Sequence, residues 1–126
     1  MNKNIKNKLL IIEDENTIRS MYTAKFESDG FEVISADNGA TGLEMAKNAL
    51  PDLVLLDIIL PQLDGFSVLK SLKEDVKTKN IPVVMLTNLG TGEDKAKGQK
   101  MGALDYIVKA SLSPAEISEK IKEYLK

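Results

Sequence analysis

The chain has no cysteine and no histidine among its 126 residues. Disulfides and thiolate ligands are thereby excluded, together with the commonest general base and metal ligand. Any chemistry falls to carboxylates, hydroxyls and lysine. Five such residues stand directly after apolar runs: Glu13 and Asp14 after Leu9-Leu10-Ile11-Ile12, Asp57 after Leu53-Val54-Leu55-Leu56, Thr87 after the run ending in Leu86, and Lys109 after the run ending in Val108. Carboxylates gathered in one place repel one another and are normally tolerated when a divalent cation neutralises them. Oxygen-only ligands select a hard ion, and Mg2+ takes one or two carboxylates, keeps several waters and completes its shell with phosphate oxygens.

A parallel sheet would bring those positions to one edge. Apolar runs alternate with helical patterns five times, and the runs are too continuous for the half-exposed strands of an antiparallel sheet. The expected strands are Leu9–Ile12, Phe31–Ile34, Leu53–Leu56, Ile81–Leu86 and about Leu104–Val108. The first helix is expected to turn Ile18, Met21, Tyr22 and Phe26 to one face and to close near Gly30. In the second, Leu43, Ala46 and Leu50 recur at helical spacing and Pro51 ends the helix. Pro61, Asp64 and Gly65 form a loop before a third helix with the stripe Phe66, Leu69, Leu72 and Val76. The fourth, from Glu93 to Met101, has few apolar residues, and Gly98 and Gly102 weaken its helical preference, so it is expected to be the mobile one. Ser113, Pro114 and Glu116 set a cap, a first-turn proline and a capping-box acid before the last helix, whose stripe is Ile117, Ile121 and Leu125.

Five such units predict one α/β domain over residues 1–126, a parallel doubly wound (βα)5 sheet with helices on both faces and a flexible polar tail over residues 1–7. Ligands of such a sheet bind outside the carboxyl ends of its strands, where the five polar residues stand. With 17 basic against 19 acidic residues, a net charge of −2 and scattered lysines, direct nucleic-acid binding is not expected. The stretch Leu53–Leu60 is interrupted by Asp57 and far too short to span a bilayer, and no secretory signal precedes the first strand. A cytoplasmic protein without a membrane partner is expected. Taken singly, each polar residue also has a plain structural reading: Glu13 and Asp14 suit the positive end of a helix, Asp57 a loop start, Thr87 a strand end and Lys109 a solvated surface. Their conjunction after successive strands is what favours a site.

From Lys8 to Lys126 the chain resembles the receiver domains of two-component signalling. The most specific stretch runs from Asp52 through Asp57 and Pro61 to Gly65, and is similar to the family's phosphoacceptor strand and the loop after it. Glu13 and Asp14 match the family's acidic pair, Thr87 its switch hydroxyl, Tyr106 its switch aromatic and Lys109 its lysine. The resemblance implies the flavodoxin-like strand order 2-1-3-4-5. It implies that Asp57 accepts a phosphoryl group from a histidine kinase or histidine phosphotransfer protein. Mg2+ would be held by Asp14, Asp57 and the backbone carbonyl of Ile59, with Glu13 acting through water. The phosphoryl oxygens would fall to the ion, to Lys109, and to Thr87 with loop amides. Movement of Thr87 would make room for Tyr106 and alter the surface of the fourth helix, fifth strand and fifth helix, which a downstream output protein reads. Thr17, Arg19 and Tyr22 on the first helix are candidate kinase-docking residues. The chain would be a switch that catalyses its own phosphorylation and slow dephosphorylation rather than a turnover enzyme.

Two positions depart from the pattern, and two more bear on hydrolysis. Ala110 follows Lys109 where the family usually has proline after a cis bond, and a cis bond without proline costs about 2.5–4 kcal/mol. The bond is either held cis despite that cost or is trans, with the lysine approaching along another path. Asn88 follows Thr87 where a small residue is usual, and would either narrow access to Asp57 or hydrogen-bond the phosphoryl group. Ile59 and Leu89, the positions that tune hydrolysis, are both aliphatic and unable to orient water, which predicts a long-lived phosphoryl group. Three rivals are set against this reading. A haloacid dehalogenase-type phosphatase would need a second acid where Ile59 stands. A flavodoxin-like flavin protein would find its phosphate repelled by Glu13-Asp14-Glu15. A receiver-like module that binds partners without phosphorylation is the third.

Overall fold

The computed structural model describes residues 6–88 and 92–126. Its elements run β1 (Lys8–Ile12), α1 (Asn16–Ser28), β2 (Glu32–Ala36), α2 (Gly39–Ala49), β3 (Leu53–Leu56), α3 (Gly65–Glu74), β4 (Val83–Thr87), α4 (Gly92–Lys100), β5 (Asp105–Val108) and α5 (Pro114–Tyr124). A short 3-10 turn, Lys109–Ser111, joins β5 to α5. All strand pairs are parallel, in the order β2-β1-β3-β4-β5, as expected.

Side chains alternate across each strand, so the sheet separates two cores. Leu10, Ile12, Val54, Leu56, Val83, Met85 and Tyr106 face α2 and α3, where Ala46, Val68, Leu69 and Leu72 cover them. Leu9, Ile11, Leu53, Leu55, Val84, Leu86 and Ile107 face α1 and α5, under Tyr22, Phe26, Ile117 and Ile121. Strands β1, β3 and β4 are buried on both faces, which is why they read as unbroken apolar runs. Strand β2 lies at the sheet's edge, only half-buried, and sits later in the chain than the Phe31–Ile34 expected from its apolar residues. Strand β4 likewise begins at Val83 rather than Ile81, and β5 at Asp105, leaving Leu104 exposed.

Three expected core positions are not core. Ile18, Tyr22 and Phe26 follow a four-residue spacing down α1, and Tyr22 stacks on Phe26 with ring centroids 5.7 Å apart. Met21 lies one position off that line and is 44% exposed. Leu50 is 55% exposed because it closes α2 in a left-handed conformation, φ 47° and ψ 63°, with Pro51 behind it disfavouring further helix. Helix α3 stops at Glu74, so Val76 falls outside it and is 79% exposed. The fully buried Thr78 hydroxyl donates instead to the Leu72 carbonyl at 2.7 Å. The capping box at Ser113 and Glu116 is present with Pro114 in the first turn; Ile117 and Ile121 are fully buried, and Leu125 is the half-buried cap.

Candidate functional site

The acidic edge follows from strand register. Ile12 pairs with Leu56, so Glu13 and Asp57 come next side by side, and both continue the ladder: Glu13 N–H donates to Ala36 at 3.0 Å and Asp57 N–H to Ile12 at 3.1 Å. Parity does the rest. Glu13 extends the series Leu9, Ile11; Asp57 extends Leu53, Leu55; and Lys109 extends Ile107, all on the α1/α5 face. Thr87 has the opposite parity, following Val83 and Met85 on the face that carries Tyr106. The loop after β3 then folds back on the acceptor. Gly65 N–H donates to Ile58 at 2.8 Å, and a Cβ at Gly65 would collide with the Asp57 carbonyl and stand 2.7 Å from Ile58 Cα. The glycine is required by close approach.

Glu13 and Asp57 are buried, at 3% and 7% exposure, whereas Asp14 is exposed. One carboxylate oxygen from each of the three lies within 4.8 Å of the others. An octahedral Mg2+ with ligands near 2.1 Å would set opposite ligands roughly 4.2 Å apart, so the group fits one ion with a carboxylate able to act through water. The Lys109 ammonium bridges the buried pair, donating to Glu13 Oε1 and to Asp57 Oδ2, the latter at 2.8 Å. The other Asp57 oxygen accepts from Ile59 N–H at 3.2 Å, and the other Glu13 oxygen from Glu15 N–H at 3.0 Å.

Burial raises the Glu13 pKa, outweighing the opposing pull of Lys109 and the Glu15 amide. Burial would lower Lys109, but its hydrogen bonds to Asp57 and Glu13 prevail and hold it above the usual lysine range. The lysine therefore stays an ammonium. Four acids, Glu13, Asp14, Glu15 and Asp57, and this one lysine line a cavity of about 180 Å³ with Ile18, Ile59, Thr87 and Asn88. That exceeds by far the roughly 15 Å³ needed by a single water.

Glu13, Asp14, Asp57, Thr87, Asn88, Ile59 and Lys109, all singled out in the sequence, thus meet at one cavity. Leu89 lies outside the described residues, as do residues 1–5 of the expected tail. Tyr106 is 9% exposed beside Gly98 of α4, with a pKa raised by burial and then by the Asp94 and Asp57 charges. No cis peptide occurs among the described residues, so Lys109-Ala110 is trans; Lys109 reaches the acids because parity aims it there. One of the docking candidates is revised and a second is already engaged. Tyr22 is 3% exposed and stacked in the core. Arg19 is engaged within the chain, donating to the Glu13 carbonyl at 2.8 Å and to Asn16. Thr17 is exposed. The Arg19 clamp was not anticipated; its only signal is an arginine one and a half turns beyond the acidic pair.

A response regulator receiver domain model matches residues 9–122, and the chain belongs to that family. Among its relatives are a probable transcriptional regulator, ycf27 of Porphyra purpurea, 38% identical over 98% of this chain and 49% of that protein, and the phosphate regulon transcriptional regulatory protein PhoB of Klebsiella pneumoniae, 39% identical over 94% of this chain and 52% of that protein. The solved chemotaxis protein CheY4 of Vibrio cholerae superposes with a TM-score of 0.88 at 28% identity, covering 94% of this chain and 98% of that one. The chain spans about half the length of the curated relatives it matches. No helix among the described residues is long and apolar enough to cross a membrane.

Proposed function

We propose that this receiver is a Mg2+-dependent phosphorylation switch with Asp57 as its acceptor. The convergence of Glu13, Asp14 and Asp57 within 4.8 Å of one another, with the Lys109 ammonium beside them, carries this reading. Asp14, Asp57 and the Ile59 carbonyl would hold the ion, and Glu13 would act through a water. When bound, Mg2+ supplies charge neutralisation for the acids and for phosphoryl oxygens.

Asp57 attacks the phosphorus of a phosphohistidine on a kinase or phosphotransfer protein. A carboxyl O–P bond forms, the P–N bond breaks, and its electron pair returns to the partner's imidazole. Lys109 gives up its bond to Asp57 for one to a phosphoryl oxygen, and the Thr87 hydroxyl takes another. The added charge draws Thr87 from the face it shares with Tyr106, and the surface of α4, β5 and α5 changes for an output protein to read. The reaction is stoichiometric, so the chain acts as a switch in the cytoplasm rather than as a turnover enzyme. With an aliphatic side chain at Ile59, 60% exposed at the cavity's rim, loss of the phosphoryl group is slow.

Intact-mass measurement after incubation with acetyl phosphate and Mg2+ tests this. The reading requires an acid-labile mass gain that is absent from Asp57→Asn and from samples with chelator. No gain in the wild-type protein would favour a module that binds partners without phosphorylation.

A further inference from the structure

The ladder between β4 and β5 ends at the pair Thr87 and Val108, yet one tie continues past it. Asn88 Oδ1 accepts the Ala110 N–H at 3.2 Å. Ala110 is the middle residue of the turn Lys109–Ser111, and the N–H groups that open such a turn find no partner inside it. Val108, at the usual capping position, has no side chain able to supply one. Asn88 does so from just past the end of β4. A proline at position 110 would have no N–H to offer. The two departures from the receiver pattern, Asn88 and Ala110, are therefore the two halves of one contact.

The contact sits one residue from Lys109, whose own side chain crosses to Asp57 at 2.8 Å. Asn88 and Lys109, with Ile18, line both the acidic cavity and a neighbouring groove that adds Met21, Tyr22 and Ala110. Asn88 also shares the face of Lys109, since it continues the parity of Val84 and Leu86.

We propose that Asn88 is a positioning residue for Lys109: its side chain caps the turn after β5 and so fixes the path along which the ammonium reaches the phosphoryl site. The proposal rests on the receiver reading above. It is distinct from both roles open to Asn88 in the sequence, a gate over Asp57 or a direct phosphoryl ligand, because it runs through the side-chain oxygen on backbone rather than through the amide N–H on a phosphoryl oxygen.

The test uses the full chain with Mg2+ alone, with Mg2+ and beryllofluoride as a phosphoryl analogue, and with acetyl phosphate. Asn88→Ala should weaken beryllofluoride binding and slow acetyl phosphate labelling by about three- to ten-fold, the range of one net hydrogen bond. Affinity for Mg2+ alone should stay at the parent value, and the melting temperature should fall by no more than the few degrees that one lost hydrogen bond accounts for. In a Lys109→Ala background the same substitution should cost nothing further, because its effect passes through the lysine. The side-chain NMR signals of Lys109 should move in Asn88→Ala, and Asn88→Asp, which keeps an acceptor oxygen, should restore the exchange protection of the Ala110 N–H that Asn88→Ala removes. If Asn88→Ala does not fold, Asn88→Ser, too short to reach Ala110, replaces it with the same expectations. Faster or unchanged labelling in Asn88→Ala, or an equal loss without Lys109, overturns the positioning role while leaving the receiver reading intact. A wild-type protein that takes up neither beryllofluoride nor phosphoryl group overturns both.

Discussion

Helices α4 and α5 flank the same strand and are held by very different means. Helix α5 opens with a capping box and a first-turn proline, buries Ile117 and Ile121 completely, and ties itself to α1 through the Ser118 hydroxyl, which donates to Asp29 at 2.6 Å. Its Tyr124 hydroxyl also donates to Asp105 at the start of β5. Helix α4 buries one residue, Gly98, which has no side chain, and its Lys97 ammonium rests 4.3 Å from the centre of the Phe66 ring on α3. Apolar burial fixes one helix; a polar surface contact and backbone packing hold the other. Under the proposed switch, a charge change at Asp57 transmitted along Thr87 and Tyr106 would meet a helix that can yield on one side and a more firmly held one on the other.

The contrast can be broken most sharply by truncation. Ile117→Ala should cost about 2–5 kcal/mol, as fully buried aliphatic truncations do, whereas Lys97→Ala should cost under about 1 kcal/mol for a surface cation–π contact. Equal losses in urea melts would erase the distinction. A smaller effect is expected at Gly98. An added Cβ there would sit 3.6 Å from Met85 and 3.8 Å from Tyr106, in ordinary contact. Gly98→Ala should thus stabilise the protein by about 0.5–1 kcal/mol through helix propensity and make α4 less responsive to phosphorylation. The smallest effect sharpens the α5 side. The Ser118 hydroxyl, then Lys25, holds the Asp29 pKa below the usual carboxylate value. A depressed folded pKa gives stability that is present above the unfolded value, near pH 4, and lost as pH falls through the folded one. Ser118→Ala should therefore flatten the loss of stability on acidification below about pH 4, read from melts across that range.

Much of this arrangement is legible in the sequence. Continuous apolar runs mark β1, β3 and β4, and the polar residue after each stands at the edge where sheets of this kind bind ligands. What escaped reading is set by neighbours rather than by pattern. Met21 looks as apolar as Tyr22 until the α1 line through Ile18 and Phe26 is fixed by packing. Val76 continues a helical spacing but not the helix, because the buried Thr78 hydroxyl and the turn after Glu74 take over. The union of Glu13, Asp57 and Lys109 on one face follows from two-residue alternation, and could have been counted from Ile11, Leu55 and Ile107. The Asn88 to Ala110 tie could not, since each residue alone reads only as a departure from a family pattern.

Hydrogen exchange on wild-type protein and Asp57→Asn, each treated with acetyl phosphate and Mg2+, tests the central claim most directly. The account predicts a change in protection in the wild type alone that is larger over residues 92–100 than over residues 114–124. Identical exchange in the two proteins, or a change confined to the last helix, would contradict it.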